Sequence, residues 1–300
     1  MNLLITGAWQ MAESLIPTIE EMGHKVCYLP FEKDALPCEY EWVEGIIGNG
    51  IFLSHPIERF ANLRYIQLTS AGLDRVPMGY IEAHGIAIQN ARGVYSVPMA
   101  EYAVGSVLSL YKEQRFFARK QREHTWEKKR DLKELAGQAV CILGCGSVGT
   151  ECARRFAAFD CTVWGVDIVP GERKFFSCIY PLNEVKKVLS KSDVVVITLP
   201  LTEETFHMFN AEMFTTMKRG AVIVNIARGA VIDTEALILT LKEKQLGGAI
   251  LDVFEKEPLM EKSPLWDMEN VIITPHNSFV GDGNDKRISD LIMKNLECMI

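Results

Sequence analysis

Three hundred residues exceed one ordinary domain and suit two, and 48% hydrophobic with 24% charged residues is the balance of a folded globular chain, not a disordered one. With 32 basic and 39 acidic residues the formal net charge is −7, which lacks the positive field that holds a polyphosphate backbone, so nucleic acid is not an expected partner. No apolar run approaches the ~18 residues of a membrane span, and the first residues lack the charged start of a signal peptide.

The eight cysteines (Cys27, Cys38, Cys141, Cys145, Cys152, Cys161, Cys178 and Cys298) contain no CxxC pair and several lie inside apolar runs, so neither a zinc site nor a disulfide framework is expected. These readings place the protein in a reducing cytoplasm, without a membrane partner or a bound metal.

From the first residue, short apolar runs alternate with helical patterns. Leu3, Leu4 and Ile5 precede an amphipathic stretch over 11–22, and 25–29, 45–48, 65–68 and 86–88 are further strand candidates bounded by turn residues. Strands alternating with helices imply βαβ units and a mostly parallel sheet, so the first part of the chain reads as a small α/β domain. A long helical pattern then runs from Pro98, which suits a first helical turn, to about Arg122. Its apolar residues, Ala100, Tyr102, Ala103, Val104, Val107, Leu108 and Leu110, cover more than one side, as in a connector between domains. The basic stretch 115–130 also carries Glu123 and Glu127 and reads as a solvated helix end and loop. A second βα series has strand candidates at 139–143, 162–166, 194–198, 221–225, 248–251 and 271–274. Six such strands are what a complete dinucleotide-binding domain requires. Residues 288–300 read as a final helix.

Gly144-Cys145-Gly146-Ser147-Val148-Gly149 is a G-x-G-x-x-G sequence, weak alone. Here it follows an apolar run and opens a helical pattern over 148–159. The next strand candidate ends at Asp167, about 18 residues beyond Gly149 and near the expected spacing of roughly 20. Gly144 makes the tight turn, Gly146 lets backbone approach a pyrophosphate, and Gly149 allows close helix–strand packing. The helix N-terminus offers N–H groups and a positive dipole end to the phosphates. Asp167 can accept hydrogen bonds from ribose hydroxyls and would repel a 2′-phosphate, which favours NAD. Arg173-Lys174, a few residues on, is the feature that could instead meet that phosphate.

Reduction of a 2-keto acid needs a cation for the carboxylate and carbonyl, a proton donor for the developing alkoxide, and a group that tunes the donor. Three residues of suitable chemistry follow strand candidates: Arg228 in Asn-Ile-Ala-Arg-Gly, Glu257 in Phe-Glu-Lys-Glu-Pro, and His276 in Thr-Pro-His-Asn-Ser. Ligands of open α/β sheets bind outside the carboxyl ends of strands, so all three are expected on one rim. Of the other histidines, His24, His84, His124 and His207 read as structural or solvated, while His55 stands nearer the substrate loop described next.

The segments 200–205, 217–221, 225–229, 251–258 and 263–266 are together similar to the D-isomer-specific 2-hydroxyacid dehydrogenase family. The resemblance is clear from Leu68 to about Ser278. It implies two Rossmann-like α/β domains with doubly wound parallel sheets, the cofactor domain being inserted into a flavodoxin-like N-terminal domain. The boundaries that follow are 1–97 plus 277–300 for the substrate domain and 98–276 for the NAD-binding domain. Carried over residue by residue, Arg228 resembles the substrate-binding arginine, Glu257 the acid paired with histidine, and His276 the proton donor and acceptor. Ser147, Val148, Pro200, Thr205, Ile226 and Asp252 resemble further cofactor contacts. Asn49, Ser70, Ala71 and Gly72 fall in substrate-facing loops, the last three where backbone N–H groups receive the substrate carboxylate.

The implied activity is NAD-dependent interconversion of a small D-2-hydroxy acid and its keto acid, in a homodimer. A non-enzymatic NAD(H)-sensing, corepressor-like scaffold of the same family is the alternative. Formate dehydrogenases usually carry glutamine where Glu257 stands, and L-lactate-type enzymes place the glycine fingerprint near the N-terminus.

Overall fold

The computed structural model describes residues 1–298. Met299 and Ile300, the end of the helix expected over 288–300, lie outside the described residues. By compactness the chain divides into two units, Met1–Tyr95 with the segment from Gly281 onwards, and Ser96–Val280.

In the first unit β1 (Asn2–Thr6), α1 (Ala12–Glu21), β2 (Lys25–Leu29), β3 (Gly45–Gly48), β4 (Tyr65–Leu68), α2 (Met78–Ala83) and β5 (Ala87–Gln89) follow one another. The strands form a parallel sheet in the order β2-β1-β3-β4-β5. Successive strand residues face opposite sides, and both sides of the central strands β1 and β3 are covered, which is why Leu3–Ile5 and Ile46–Ile47 are continuous apolar runs. Leu3, Ile5 and Ile47 join Trp9, Ile19 and the C-terminal helix residues Ile288, Ile292 and Leu296. Leu4, Ile46 and Ile66 pack with Phe60 and Ile81 on the other side. The C-terminal helix, Asn284–Glu297, is also tied by polar contacts. Trp9 Nε1 donates to Ser289 Oγ at 2.9 Å, and Asn295 Nδ2 to Gln67 Oε1 at 2.7 Å.

The second unit opens with a helix that differs from the sequence expectation. In place of one helix to about Arg122 there are two, α3 (Ser96–Tyr111) and α4 (Gln114–Arg122). Glu113 between them has φ 53°, a left-handed conformation that ends a right-handed helix. The helix-favouring residues continue across the break, from Leu110 to Arg122 without glycine or proline, so composition did not mark it. Ala100, Ala103, Val104 and Val107 of α3 pack with Cys152, Ala153 and Phe156 over Val140 and Ile142. Small residues let the two helices approach, and a ring buried as fully as Phe156 contributes about 1.5–3 kcal/mol.

The strands are β6 (Ala139–Leu143), β7 (Thr162–Asp167), β8 (Cys178–Pro181), β9 (Val194–Ile197), β10 (Val222–Asn225), β11 (Gly248–Leu251) and β12 (Val271–Ile273). Between them lie α5 (Ser147–Ala157), α6 (Val185–Leu189), α7 (Ala211–Thr216) and α8 (Thr234–Lys242). All seven strands are parallel in the order β12-β11-β10-β9-β6-β7-β8. The sequence pattern showed six. The seventh, β8, is a four-residue edge strand ending in proline, with too few residues to display a period. The order reverses between β6 and β9, and the crevice at their carboxyl ends is where such sheets take a ligand.

Candidate active site

The glycine fingerprint lies at that reversal. Gly144, just past β6, has φ +91°, and a Cβ there would stand 3.0 Å from the Thr198 backbone. A Cβ on Gly149 would lie 2.0 Å from the Gly144 carbonyl oxygen, so only glycine lets α5 start this close to the strand. Gly146 is exposed, and a Cβ on it would meet nothing within 4 Å, so this stretch of backbone is open to approach. Helix α5 begins immediately after, and Gly146 brings no side-chain cap to its N-terminus. The three glycines therefore fit a dinucleotide pyrophosphate at a helix start.

Asp167 ends β7 beside this turn. Its Oδ2 accepts from Cys145 N at 2.7 Å and its Oδ1 from Val169 N at 3.0 Å. Burial raises its pKa, but the two N–H groups and Arg173 outweigh it, leaving the carboxyl below its ordinary value. Arg173 does not project outward. Its Nη1 lies 3.3 Å from Asp167 Oδ2 and also donates to the Cys145 carbonyl, while Nη2 donates to Val169 O at 3.0 Å.

The other residues expected from the sequence to meet the cofactor divide by environment. Pro200 is exposed past β9, and Ser147 and Val148 form the first turn of α5. Thr205 is buried, and its hydroxyl closes the 200–205 turn by donating to Pro200 O at 2.7 Å. The Ile226 side chain is buried in the core with Val224, so its backbone is what remains for a ligand.

Arg228, Glu257 and His276 follow β10, β11 and β12, three adjacent parallel strands, and stand at the same end of the sheet. The Asn225 side chain shapes the first of these turns, accepting from Ala227 N at 3.1 Å and donating to Arg228 O at 3.0 Å. A Cβ on Gly229 would fall 1.8 Å from the Phe254 carbonyl carbon, so glycine there brings the Arg228 turn against the Glu257 loop. His276 Nδ1 lies 3.0 Å from Glu257 Oε2, and Glu257 Oε1 accepts from Phe254 N at 3.0 Å. Both carboxylate oxygens are thus engaged, and one of them orients the imidazole. Its Nε2 has no partner among the described residues, and the side chain is 42% exposed.

Two features were missed in the sequence. The first is the work of Asp252, which is 0% exposed. Its Oδ1 accepts from Thr274 Oγ1 at 2.6 Å and Asn277 N at 2.7 Å, and its Oδ2 from Ser278 N at 3.0 Å. Its carbonyl accepts from His276 N at 2.7 Å. The turn that presents His276, with φ 52° at the histidine itself, is built around this residue. The second is another histidine–carboxylate pair on the same unit, His207 Nε2 to Glu255 Oε2 at 2.9 Å. Here the carboxylate also receives Thr234 N at the start of α8, a structural connection.

In the first unit, Asn49 follows β3, and Ser70, Ala71 and Gly72 follow the neighbouring β4. Thr69 N donates to Gly48 O at 2.9 Å, joining the two loops. Ser70 Oγ donates to Gly72 O at 3.0 Å and Asn90 Nδ2 to Ala71 O at 2.7 Å, so the β4 loop is braced through its carbonyls. His55 is buried, its Nδ1 2.8 Å from the Tyr40 hydroxyl. Among the described residues no group of three or more His, Cys, Asp or Glu could hold a metal ion, and no helix is long and apolar enough to cross a membrane.

Residues 104–278 match the sequence profile of the D-isomer specific 2-hydroxyacid dehydrogenase NAD binding domain. This chain belongs to the D-isomer specific 2-hydroxyacid dehydrogenase family. A glyoxylate reductase of Thermofilum pendens is 34% identical over 244 residues, 78% of this chain and 71% of the relative. A solved family protein from Aeromonas salmonicida is 30% identical with a TM-score of 0.85, covering 99% of this chain and 95% of that one. One from Xanthobacter autotrophicus, in complex with NADPH and MES, is 28% identical with a TM-score of 0.81, over 98% and 93% of the two chains. As a member of this family, the protein is an NAD-dependent dehydrogenase acting on 2-hydroxy acids.

Proposed function

We propose that this dehydrogenase interconverts a small D-2-hydroxy acid and its 2-keto acid, with His276 as the acid–base group. The carrying observation is the His276–Glu257 pair at 3.0 Å, with Nε2 left free, on the strand rim that also bears Arg228. When bound, the nicotinamide supplies the hydride to C2. Arg228 holds the substrate carboxylate and polarises the carbonyl, a task for a fixed cation. His276 gives its Nε2 proton to the carbonyl oxygen during reduction and takes it back in oxidation. Glu257 keeps the ring oriented through Nδ1 and stabilises the imidazolium. In the same reading the backbone N–H groups of Ser70, Ala71 and Gly72 receive a substrate carboxylate, and homodimerisation belongs to it as well.

Purified protein with NADH and a panel of 2-keto acids tests this. Oxidation of NADH with one acid, giving the D product where the product is chiral, is the expected result. NADH binding without turnover of any acid would overturn it and favour an NAD(H)-sensing scaffold.

Asp167 is the residue that selects NAD, because a 2′-phosphate would meet its carboxylate. In Asp167→Ala that repulsion is gone and Arg173, released from its partner, can meet the phosphate. The ratio of kcat/KM for NADH over NADPH is expected to fall by roughly tenfold or more, since one relieved charge contact contributes on the order of 1–2 kcal/mol at a partly exposed site. An unchanged ratio would show that Asp167 does not discriminate.

A further inference from the structure

The first unit has the strand order 2-1-3-4-5, whose reversal lies between β1 and β3. In such sheets the crevice at the carboxyl ends of these two strands receives the ligand. Here an internal anion occupies it. Glu32, in the loop after β2, reaches across the end of β1 to the end of β3. Its Oε1 accepts from Thr6 Oγ1 at 2.9 Å and Asn49 N at 2.6 Å, and its Oε2 from Gly50 N at 2.7 Å. Two successive backbone N–H groups converging on one carboxylate form an anion-binding nest, and the nest is filled by the chain itself. Gly48 makes room for this, since a Cβ there would stand 2.7 Å from Glu32 Oε1. The Asn49 side-chain oxygen is buried without a partner among the described residues, whereas Glu32 accepts from the backbone of Asn49 and Gly50 and holds the loop.

Resting on the functional reading above, in which the neighbouring Ser70–Gly72 backbone receives the substrate carboxylate, we infer that Glu32 is a specificity-determining residue that restricts this enzyme to 2-keto acids with a single anionic group. The β3 and β4 loops are joined by the Thr69 N to Gly48 O hydrogen bond at 2.9 Å, so a substrate held by its carboxylate at the β4 loop has the β3 loop beside it. A second carboxylate, phosphate or sulfonate arriving there finds both N–H donors taken and a fixed negative charge behind them. A hydrogen, methyl or hydroxymethyl group meets no such penalty. Arg75 is a cation that reaches this loop, its Cδ 3.7 Å from where a Gly50 Cβ would lie, but its side chain is exposed and solvent screens it.

The test compares kcat/KM with NADH for monoanionic acids (glyoxylate, hydroxypyruvate) and dianionic ones (oxaloacetate, phosphohydroxypyruvate) in the wild type, Glu32→Gln and Glu32→Asp. The wild type is expected to favour the monoanions by roughly a hundredfold, the scale of one unscreened charge contact at a protein surface. Glu32→Gln, which keeps the shape and removes the charge, is expected to cut that ratio at least tenfold, while Glu32→Asp keeps it. A purely structural role would lower turnover of both classes together and leave the ratio unmoved, which overturns the inference. If Glu32→Gln does not fold, the wild-type ratio decides, and a preference for dianions overturns the inference and assigns the loop to Arg75. Absence of turnover with every acid removes the functional reading itself, and this inference with it.

Discussion

Replacement of His276 by alanine is expected to lower kcat by about 10²–10⁴-fold, the usual contribution of a positioned general acid–base group, while NADH affinity stays within about threefold. A loss of that size is about 3–5 kcal/mol of transition-state stabilisation. The separation between chemistry and binding follows from the layout of the sheet. His276 stands past β12, at the far end from β6 and β7, whose ends carry the fingerprint and Asp167. Its ring is fixed by Glu257 and not by any residue of the fingerprint. Glu257→Gln should cost less, since the amide oxygen can still accept from Nδ1, although the charge and the acceptor for Phe254 N are lost. His207 is the internal control. It has a carboxylate partner at 2.9 Å, as His276 has at 3.0 Å, but uses Nε2 for it, and its carboxylate is anchored to the start of α8. His207→Ala should therefore leave kcat within about threefold. Single-turnover kinetics and fluorescence titration of NADH separate the two quantities. Retained turnover in His276→Ala, or a comparable loss in His207→Ala, would move the acid–base role elsewhere.

Asp252→Ala is expected to destabilise the cofactor unit. The carboxylate is fully buried and its oxygens accept from Thr274, Asn277 and Ser278. Removing it leaves the buried Ser278 N–H without its acceptor, whereas the Thr274 hydroxyl keeps Tyr102 Oη at 2.8 Å and the more exposed Asn277 can turn to water. A buried donor left unmade costs about 1–3 kcal/mol, and hydrogen bonds to a charged group are the stronger ones, so a total of about 2–3 kcal/mol is expected. For a unit of this size that lowers Tm by on the order of 10 °C. Turnover should fall as well, because the same hydrogen bonds shape the turn in which His276 adopts φ 52°. Thermal unfolding followed by circular dichroism, with NADH kinetics below the transition, measures both. A Tm within about 3 °C of the wild type would mean that Thr274 to Ser278 holds its shape without the carboxylate.

What could be read along the chain and what could not divides by the range of the interaction. The parallel strands were legible because burial on both faces demands runs such as Val194–Ile197, and their fully buried pattern is the direct consequence. The fingerprint was legible because its demands are local. A turn at φ +91°, and a helix position where a Cβ would stand 2.0 Å from a carbonyl oxygen, allow only glycine, so Gly144 and Gly149 had to appear in the letters themselves. Arg228, Glu257 and His276 were legible as a set through their surrounding motifs and their places after strands. That β10, β11 and β12 are neighbours, and that His276 meets Glu257, was settled by the sheet order.

Edge strand β8 and the break at Glu113 escaped notice because β8 is too short to show a period and no glycine or proline marks the break. Arg173 could not be placed from its position near Asp167, since a long side chain there can face solvent or fold back, and packing against the Cys145 turn decided for the latter. Asp252 and Glu32 are acids whose structural tasks the letters do not announce. Their hydrogen bonds reach partners 25 and 17 positions away, across strands that become adjacent only when the sheets form. The sequence by itself determined most of the elements, the cofactor turn and the family, because those depend on covalent spacing and burial. The tertiary structure alone decided which acids act as anchors, because a buried carboxylate takes its role from the N–H groups that folding brings to it.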